Sequence, residues 1–467
     1  MSGPEGAEPA RASSPGLQIR PRRKWASAVS AIYIWRPAQW LTQHLDLSTS
    51  KTSLHLSVWV AAAVVGGLAV VYAKFIALLQ NFYFLAFKHF PVWVAISGPI
   101  LFVAATWIVR RFAPDAKGSG IPQVLVAIEQ ATIQKKEAAP WEHSLVSVRT
   151  SVVKVLSSAI GILAGASIGR EGPTVQLAAA GFAWFGQRLR RFAPQIEFRT
   201  FLTAGAAAGV AAAFNTPIAG ITFALEELGG DVFGVFRQMV MLAIIISGIV
   251  AQGTAGNYLY FGRPVLSNAS MVSWISEAVS IGIVGGLLGG FFAKTLAEPR
   301  LIGIPKNWLL RAFIAGVVCS AIGYWTRGDT AGSGYEVTRR VIESHALQDG
   351  NPLFPLLKLA TTSLSYISGM AGGIFSPSLS IGAGVGIAIA KLAGIANFRA
   401  CALFGMVAFF SGAVRAPLTA VIIVMEMTDE PSLVIPFMIA AFLAYSAGRR
   451  VMAEPLYHYL AHHYRDE

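Results

Sequence analysis

Charge is what this chain has least of. Only 13% of its 467 residues are Asp, Glu, Lys or Arg, against about 25% in soluble domains, and that deficit excludes an ordinary globular enzyme. Cysteine is nearly absent as well. The two present, Cys319 and Cys401, both fall in apolar segments, which excludes a disulfide framework and leaves no metal-ligand spacing. The zinc-protease pattern HExxH does not occur, and His458, His462 and His463 cluster near the end, outside the apolar runs. No cofactor or metal is expected, and an enzyme is not.

What fills the chain is apolar: 54% hydrophobic residues and 46 glycines, with a mean hydropathy of +0.57. Small residues let helix backbones approach closely in lipid. The net charge of +13 comes from 37 basic against 24 acidic residues. It is not spread as a nucleic-acid surface. Arg20, Arg22, Arg23 and Lys24, and later Arg188, Arg190 and Arg191, sit in short polar stretches beside apolar ones, as the positive-inside rule and anionic lipid headgroups favour. No nucleic-acid partner is expected. Residues 1–53 read as a basic cytoplasmic segment with a surface helix, because the run from Trp25 to Trp35 is interrupted and no small-residue cleavage site follows it.

Apolar stretches recur from Leu54 to Gly448. Leu56–Tyr72, Val92–Val109, Met239–Gln252, Val279–Phe292 and Phe313–Tyr324 are the cleaner ones, while Gly and Pro interrupt others at 118–122, 215–217 and 372–377. Spanning the hydrocarbon core takes about 20 residues. Shorter broken helices survive there only where their freed backbone groups face protein or a water-filled cavity, a transporter-like pattern.

An internal repeat runs through these stretches. At an offset of 200, Gly205, Ala208, Ala213, Pro217 and Glu226 match Gly405, Ala408, Ala413, Pro417 and Glu426. Upstream, at 204, Gly169, Pro173 and Thr174 match Gly373, Pro377 and Ser378; at 214, Gly118-Ser119-Gly120 matches Gly332-Ser333-Gly334. Three matches in one order with a slowly drifting offset describe a duplicated unit. The expected division is 54–260 for the first half, 261–452 for the second, and 453–467 for a C-terminal helix. Duplicated transporters place their site near the bilayer midplane, where the broken helices of both halves meet.

The motifs GSGIP at 118–122, GREGP at 169–173 and GIFSP at 373–377 set small residues around a helix-starting proline. A helix that begins inside the membrane offers unpaired N–H groups and the positive end of its dipole. Several such ends make an anion site without a full positive charge. A lysine at that point would hold the anion too tightly for passage. Ser119 adds a hydroxyl donor, and Phe375 a backbone N–H behind an apolar side chain.

Into this setting falls Glu171, between the distant charges Lys154 and Arg188, with only Arg170 adjacent. An ionisable group at membrane depth costs at least about 2.5–3.5 kcal/mol. Its carboxylate competes with a transported anion for the same N–H groups, and protonation would release it, so it reads as a gate that also carries a proton. In the second half Phe375 takes its position. Downstream, Glu226 and Glu227 lie about 100° apart on a helix. Glu226 has Glu426 as its duplicate and reads as structural; Glu227 has Met427 and is the asymmetric one, suited to a proton route.

GSGIP, GREGP, GGIFSP and the late Pro455-Leu456-Tyr457 together resemble the chloride channel (ClC) family of anion channels and anion/proton exchangers, over residues 54 to 462. The resemblance implies an all-α polytopic membrane protein of two inverted-topology repeats, with broken helices meeting at a midplane anion site, and a homodimer with one pathway per subunit. It implies that Ser119, Gly120 and Tyr457 face the anion, with N–H groups from Ile374 and Phe375. It further implies Glu171 as external gate and proton carrier and Glu227 as internal proton relay. Gln123 stands where many relatives have glutamate, and no regulatory domain follows the last apolar helix, as in compact prokaryotic members. The expected function is chloride/proton antiport in a bacterial inner membrane, with chloride, protons and lipid as partners; the alternative is a passive voltage- or pH-gated chloride channel. Ser119 favours chloride over nitrate, and intact GREGP with Tyr457 argues against fluoride export.

Overall fold

The computed structural model describes residues 49–133, 144–189, 197–229, 237–256, 259–266, 270–303, 305–343 and 351–465. The basic segment read at 1–53 lies almost wholly outside them, as do Arg190 and Arg191. Within the described residues the chain is helical: α1 (Thr49–His89), α2 (Pro91–Phe112), α3 (Ile121–Ile133), α4 (Val148–Leu163), α5 (Glu171–Leu189), α6 (Phe198–Phe214), α7 (Pro217–Glu226) and α8 (Arg237–Ala255). The second series is α9 (Met271–Ala297), α10 (Trp308–Trp325), α11 (Tyr335–Glu343), α12 (Phe354–Ser368), α13 (Phe375–Ala393), α14 (Phe398–Val414), α15 (Pro417–Thr428), α16 (Val434–Val451) and α17 (Leu456–His462).

Six helical stretches among the described residues are long and apolar enough to cross a membrane; α3, α6, α7, α14 and α15 are apolar but shorter. Large apolar side chains such as Leu78, Ile100, Ile249 and Phe291 are exposed on the outside. Lipid tails, not water, suit such a surface. The protein is an integral, multi-pass membrane protein.

The duplication is visible element by element. α5 and α13 each run 19 residues, α6 and α14 each 17. Both α7 and α15 start on a proline, whose missing N–H would lack an intrahelical acceptor in any case. The helices before them end on Asn215 (φ 61°) and Arg415 (φ 73°), left-handed residues at duplicate positions.

Contacts between duplicates are reciprocal. Gly169 N–H donates to Gly373 O at 2.7 Å, and Gly373 N–H donates back to Gly169 O at 2.8 Å. Glu226 accepts from the N–H groups of Leu418 (3.0 Å) and Thr419 (2.6 Å) at the start of α15, while Glu426 accepts from Ile218 (3.2 Å) and Ala219 (2.7 Å) at the start of α7. Contacts exchanged between equivalent residues are what a two-fold relation produces. Each carboxylate takes two N–H groups that the helix itself cannot pair, at the end where the dipole favours negative charge.

Glycine sets the packing distance. A Cβ on Gly405 would run into Gly382 O of α13, and one on Gly386 into Cys401 O of α14. On the α9–α14–α16 side, a Cβ on Gly412 would meet Gly286 O at 2.6 Å and one on Gly448 would meet Gly412 O at 2.5 Å. Cys319 and Cys401 are both buried, Cys319 against Thr361 and Ser365 of α12 and Cys401 in the α13–α14 contact.

Candidate functional site

The three glycine motifs cross at one point. Gly118 N–H donates to Met370 O (2.9 Å) and Gly372 N–H to Gly118 O (3.0 Å), while the Gly169–Gly373 exchange ties the second and third loops. Gly118 (φ +67°) and Gly120 (φ +104°) are in left-handed territory that side chains avoid. A Cβ on Gly172 would strike the Ser119 hydroxyl and backbone; one on Gly373 would lie 3.0 Å from both Gly169 O and Gly172 N. The crossing therefore brings the N-termini of α3, α5 and α13 together.

Ser119, Ile374, Phe375 and Tyr457 are all buried around this crossing. The Ser119 hydroxyl is close enough to interact with Tyr457, but neither oxygen meets hydrogen-bond geometry with any described protein atom. Ile374 caps α13 and Phe375 is its first residue, so their N–H groups lack an intrahelical acceptor. Two buried hydroxyls and two helix-start N–H groups are donors with which an anion can be matched. The Phe375 ring packs at a tilt against Phe410 (4.2 Å between centroids) and Phe214 (4.7 Å), covering the crossing with apolar surface.

Glu171 is the first residue of α5 and is 1% exposed. Its Oε1 accepts from the Tyr260 hydroxyl at 3.1 Å, and Arg170 Nε lies 3.9 Å from the same oxygen. Its Oε2 has no hydrogen-bond partner. Arg170 donates to Ala73 O (2.9 Å) and its guanidinium lies 5.7 Å from the centre of the Tyr260 ring. A cavity of about 300 Å³ opens on this group, with Lys74, Gln80, Arg170, Tyr260, Ser333 and Glu336 among its walls. A second cavity, of about 450 Å³, reaches Gly118 from elsewhere and is lined by Arg110, Lys117, Arg311 and His463. Both openings carry basic side chains that raise the local anion concentration.

The neighbouring glutamates divide as the duplication implies. Glu226 is occupied as the cap of α15, whereas Glu227 is buried at the end of α7, its Oε1 without a hydrogen-bond partner. The nearest basic group is His458, whose Nε2 lies 4.0 Å from that oxygen and whose side chain is 42% exposed. His458 follows Tyr457 directly, so the α17 start places one residue at the crossing and the next, partly exposed, beside Glu227.

Several residues that matter here were not singled out from sequence. Tyr260 and His458 are two of them. Lys154, noted only as a distant charge, is fully buried and donates to Gly118 O at 3.1 Å. Its duplicate at the offset of 204, Lys358, donates to Thr330 O (2.8 Å), Ala331 O (3.3 Å) and Gly332 O (2.7 Å). Each lysine braces the backbone of a GSG turn. Gln123 is an anchor too: its Nε2 lies within hydrogen-bond distance of Asp115 O (3.0 Å), Lys117 O (2.7 Å) and the Tyr464 hydroxyl (3.0 Å). The run Gly165–Gly169 matches the GxSxG spacing of serine hydrolases. Ser167 there is bonded to Thr362 (2.7 Å) and, through its N–H, to Ser365 (3.0 Å), a packing role.

Fold and site together define a duplicated helical membrane protein with a buried cluster of donors at the crossing of broken helices, flanked by two buried carboxylates. The sequence profile described as voltage gated chloride channel matches residues 100–449; the chain belongs to that family. It is 31% identical over 433 residues to the H(+)/Cl(-) exchange transporter ClcA of Klebsiella pneumoniae, covering 86% of this chain and 88% of the relative. To the protein of the same name from Salmonella arizonae it is 30% identical over 439 residues, covering 86% and 87%. Its fold is similar to that of a slow cyanobacterial Cl-/H+ antiporter, with a TM-score of 0.74 and 22% identity over 88% of this chain and 98% of that one.

Proposed function

We propose that this protein exchanges chloride for protons across a bacterial inner membrane, with Glu171 as the external gate and proton carrier. The observation that carries the reading is the placement of one buried carboxylate, Glu171, at the start of α5, where the starts of α3, α5 and α13 converge. Ionised, it occupies donors that chloride needs; protonated, it gives them up. Ser119, Gly120, Tyr457 and the N–H groups of Ile374 and Phe375 form the central chloride site. Glu227, buried and reached from the surface past His458, passes protons on the internal side. The curated relatives named as H(+)/Cl(-) exchange transporters support this assignment.

The same reading makes the two halves, 54–260 and 261–452, lie inverted in the membrane, with 453–467 supplying Tyr457, and makes the working unit a homodimer with one pathway per subunit in a lipid bilayer. It makes the protein a transporter and not an enzyme.

The test is reconstitution in liposomes under a chloride gradient with external pH recorded. Chloride-driven uphill proton movement establishes exchange; chloride flux without it identifies a passive channel instead. Glu171→Gln, which mimics the neutral carboxyl, abolishes proton movement and keeps chloride flux. Proton movement surviving in that variant would remove Glu171 from its role.

A further inference from the structure

The offset between the halves falls from 214 at the GSG motifs to 204 and then 200. Continued, it reaches 197: α8 begins at Arg237 and α16 at Val434, 197 residues apart. The pair Leu259-Tyr260 then superposes in sequence on Leu456-Tyr457. Tyr260 is thus the duplicate of the tyrosine at the central chloride site, and Ser333, the duplicate of Ser119, lines the cavity on which Tyr260 opens.

The two tyrosines face different partners. Tyr457 stands beside Ser119 with its oxygen unbonded. Tyr260 is 2% exposed; its hydroxyl donates to Glu171 Oε1 at 3.1 Å and lies 3.4 Å from the Ser376 hydroxyl. Ser376 sits in the first turn of α13, next to Phe375. With Tyr260 donating to the carboxylate, Ser376 donates to Tyr260, so a hydrogen-bond chain joins the chloride-binding helix start to the gate. Packing alone does not call for that hydroxyl: Phe261 and Phe214, both in contact with the Tyr260 ring, fill the same region without one.

We propose that Tyr260 is the positioning residue of the Glu171 gate: its hydroxyl holds the ionised carboxylate in place and loosens its hold on protonation. The inference rests on the reading of Glu171 as gate. A donor to an ionised carboxylate is about twice as strong as one to a neutral group and favours the charged form. Among the described residues, the other charged or titratable groups facing this pair are Arg170 and Tyr335 against Tyr260, Tyr72 and Tyr457 toward Glu171, and Lys74 and Glu336 on the cavity wall.

The experiment measures chloride efflux from liposomes over a series of external pH values for the full-length protein and for Tyr260→Phe, Glu171→Gln and the double variant. Tyr260→Phe removes a bond that is strongest to the ionised carboxylate, so half-activation moves to higher pH. The double variant matches Glu171→Gln. A 3-fluorotyrosine at position 260, nearly the same size and a stronger donor, moves half-activation the other way, which keeps the test open should Tyr260→Phe fold poorly. If Glu171→Gln flattens the pH profile as expected while Tyr260→Phe or the fluorotyrosine leaves it in place, the positioning role is wrong. If Glu171→Gln keeps its proton coupling, the gate assignment itself fails.

Discussion

Replacing Glu426 should weaken the fold without touching exchange, and replacing Glu227 should do the reverse. Glu426 receives the N–H groups of Ile218 and Ala219, the second and third residues of α7, and Pro217 ahead of them has no N–H to offer. Loss of a capping side chain costs about 0.5–2 kcal/mol, and bonds to a charged acceptor lie at the upper end. Both donors lose their partner in Glu426→Ala, so about 2–3 kcal/mol is expected; Glu426→Gln keeps one acceptor oxygen and should cost about half of that. Glu226→Ala should cost a similar amount, because its bonds to Leu418 and Thr419 repeat the geometry on α15. The assay is thermal unfolding in detergent alongside coupled flux in liposomes. Glu226→Gln and Glu426→Gln unfold earlier yet still exchange protons for chloride, while Glu227→Gln unfolds normally and loses proton movement. If Glu226→Gln abolished proton movement at full stability, the division of labour between the adjacent glutamates would be refuted.

Lys358→Met would leave the carbonyls of Thr330, Ala331 and Gly332 without their buried donor; a loss of about 3–5 kcal/mol is expected, read as lower unfolding temperature and yield of folded protein, and larger than for Lys154→Met, which frees only Gly118 O. Gly405→Val should force α13 and α14 apart, because the first side-chain carbon already meets Gly382 O; a cost of about 1–3 kcal/mol or more follows from overpacking, and a normally stable variant would show that this contact does not set the helix spacing.

The duplication, the three helix-start motifs and the lone acid at Glu171 were legible because each is a local pattern or a repeat. Apolar runs located the long helices but not their ends. The run Leu56–Tyr72 belongs to a helix that continues to His89, because Lys74 does not break it: its amine reaches sideways to Thr254 O at 2.9 Å. Tyr260 escaped notice because the chain returns to Glu171 from 89 residues away, and a two-residue match at a new offset is too short to stand out unaided. Gln123 stood out only as a glutamine where many relatives have glutamate, since composition does not reveal that a side chain buried at 0% exposure ties three groups together. His458 looked like part of a polar tail. Only the start of α17 shows that its neighbour Tyr457 fixes it against Glu227.

Symmetry and its exceptions sort the polar residues by task. Three pairs that both halves keep carry the frame: Gly169 with Gly373, Glu226 with Glu426, Lys154 with Lys358. The carboxylates free of such duties have apolar duplicates, Phe375 for Glu171 and Met427 for Glu227. A two-fold scaffold with identical chemistry in both halves would present the same gate to both sides of the membrane and could not distinguish them. A carboxylate in place of Phe375 would also add a second negative charge at the crossing, where like charges cannot both stay ionised cheaply. The aromatic ring instead offers its backbone N–H and packs on Phe410 and Phe214. Tyr260 and Tyr457 are the intermediate case: the same side chain at duplicate positions, one turned to Glu171 and the other to Ser119. What differs between them is the partner, and the partner is set by which half carries the acid.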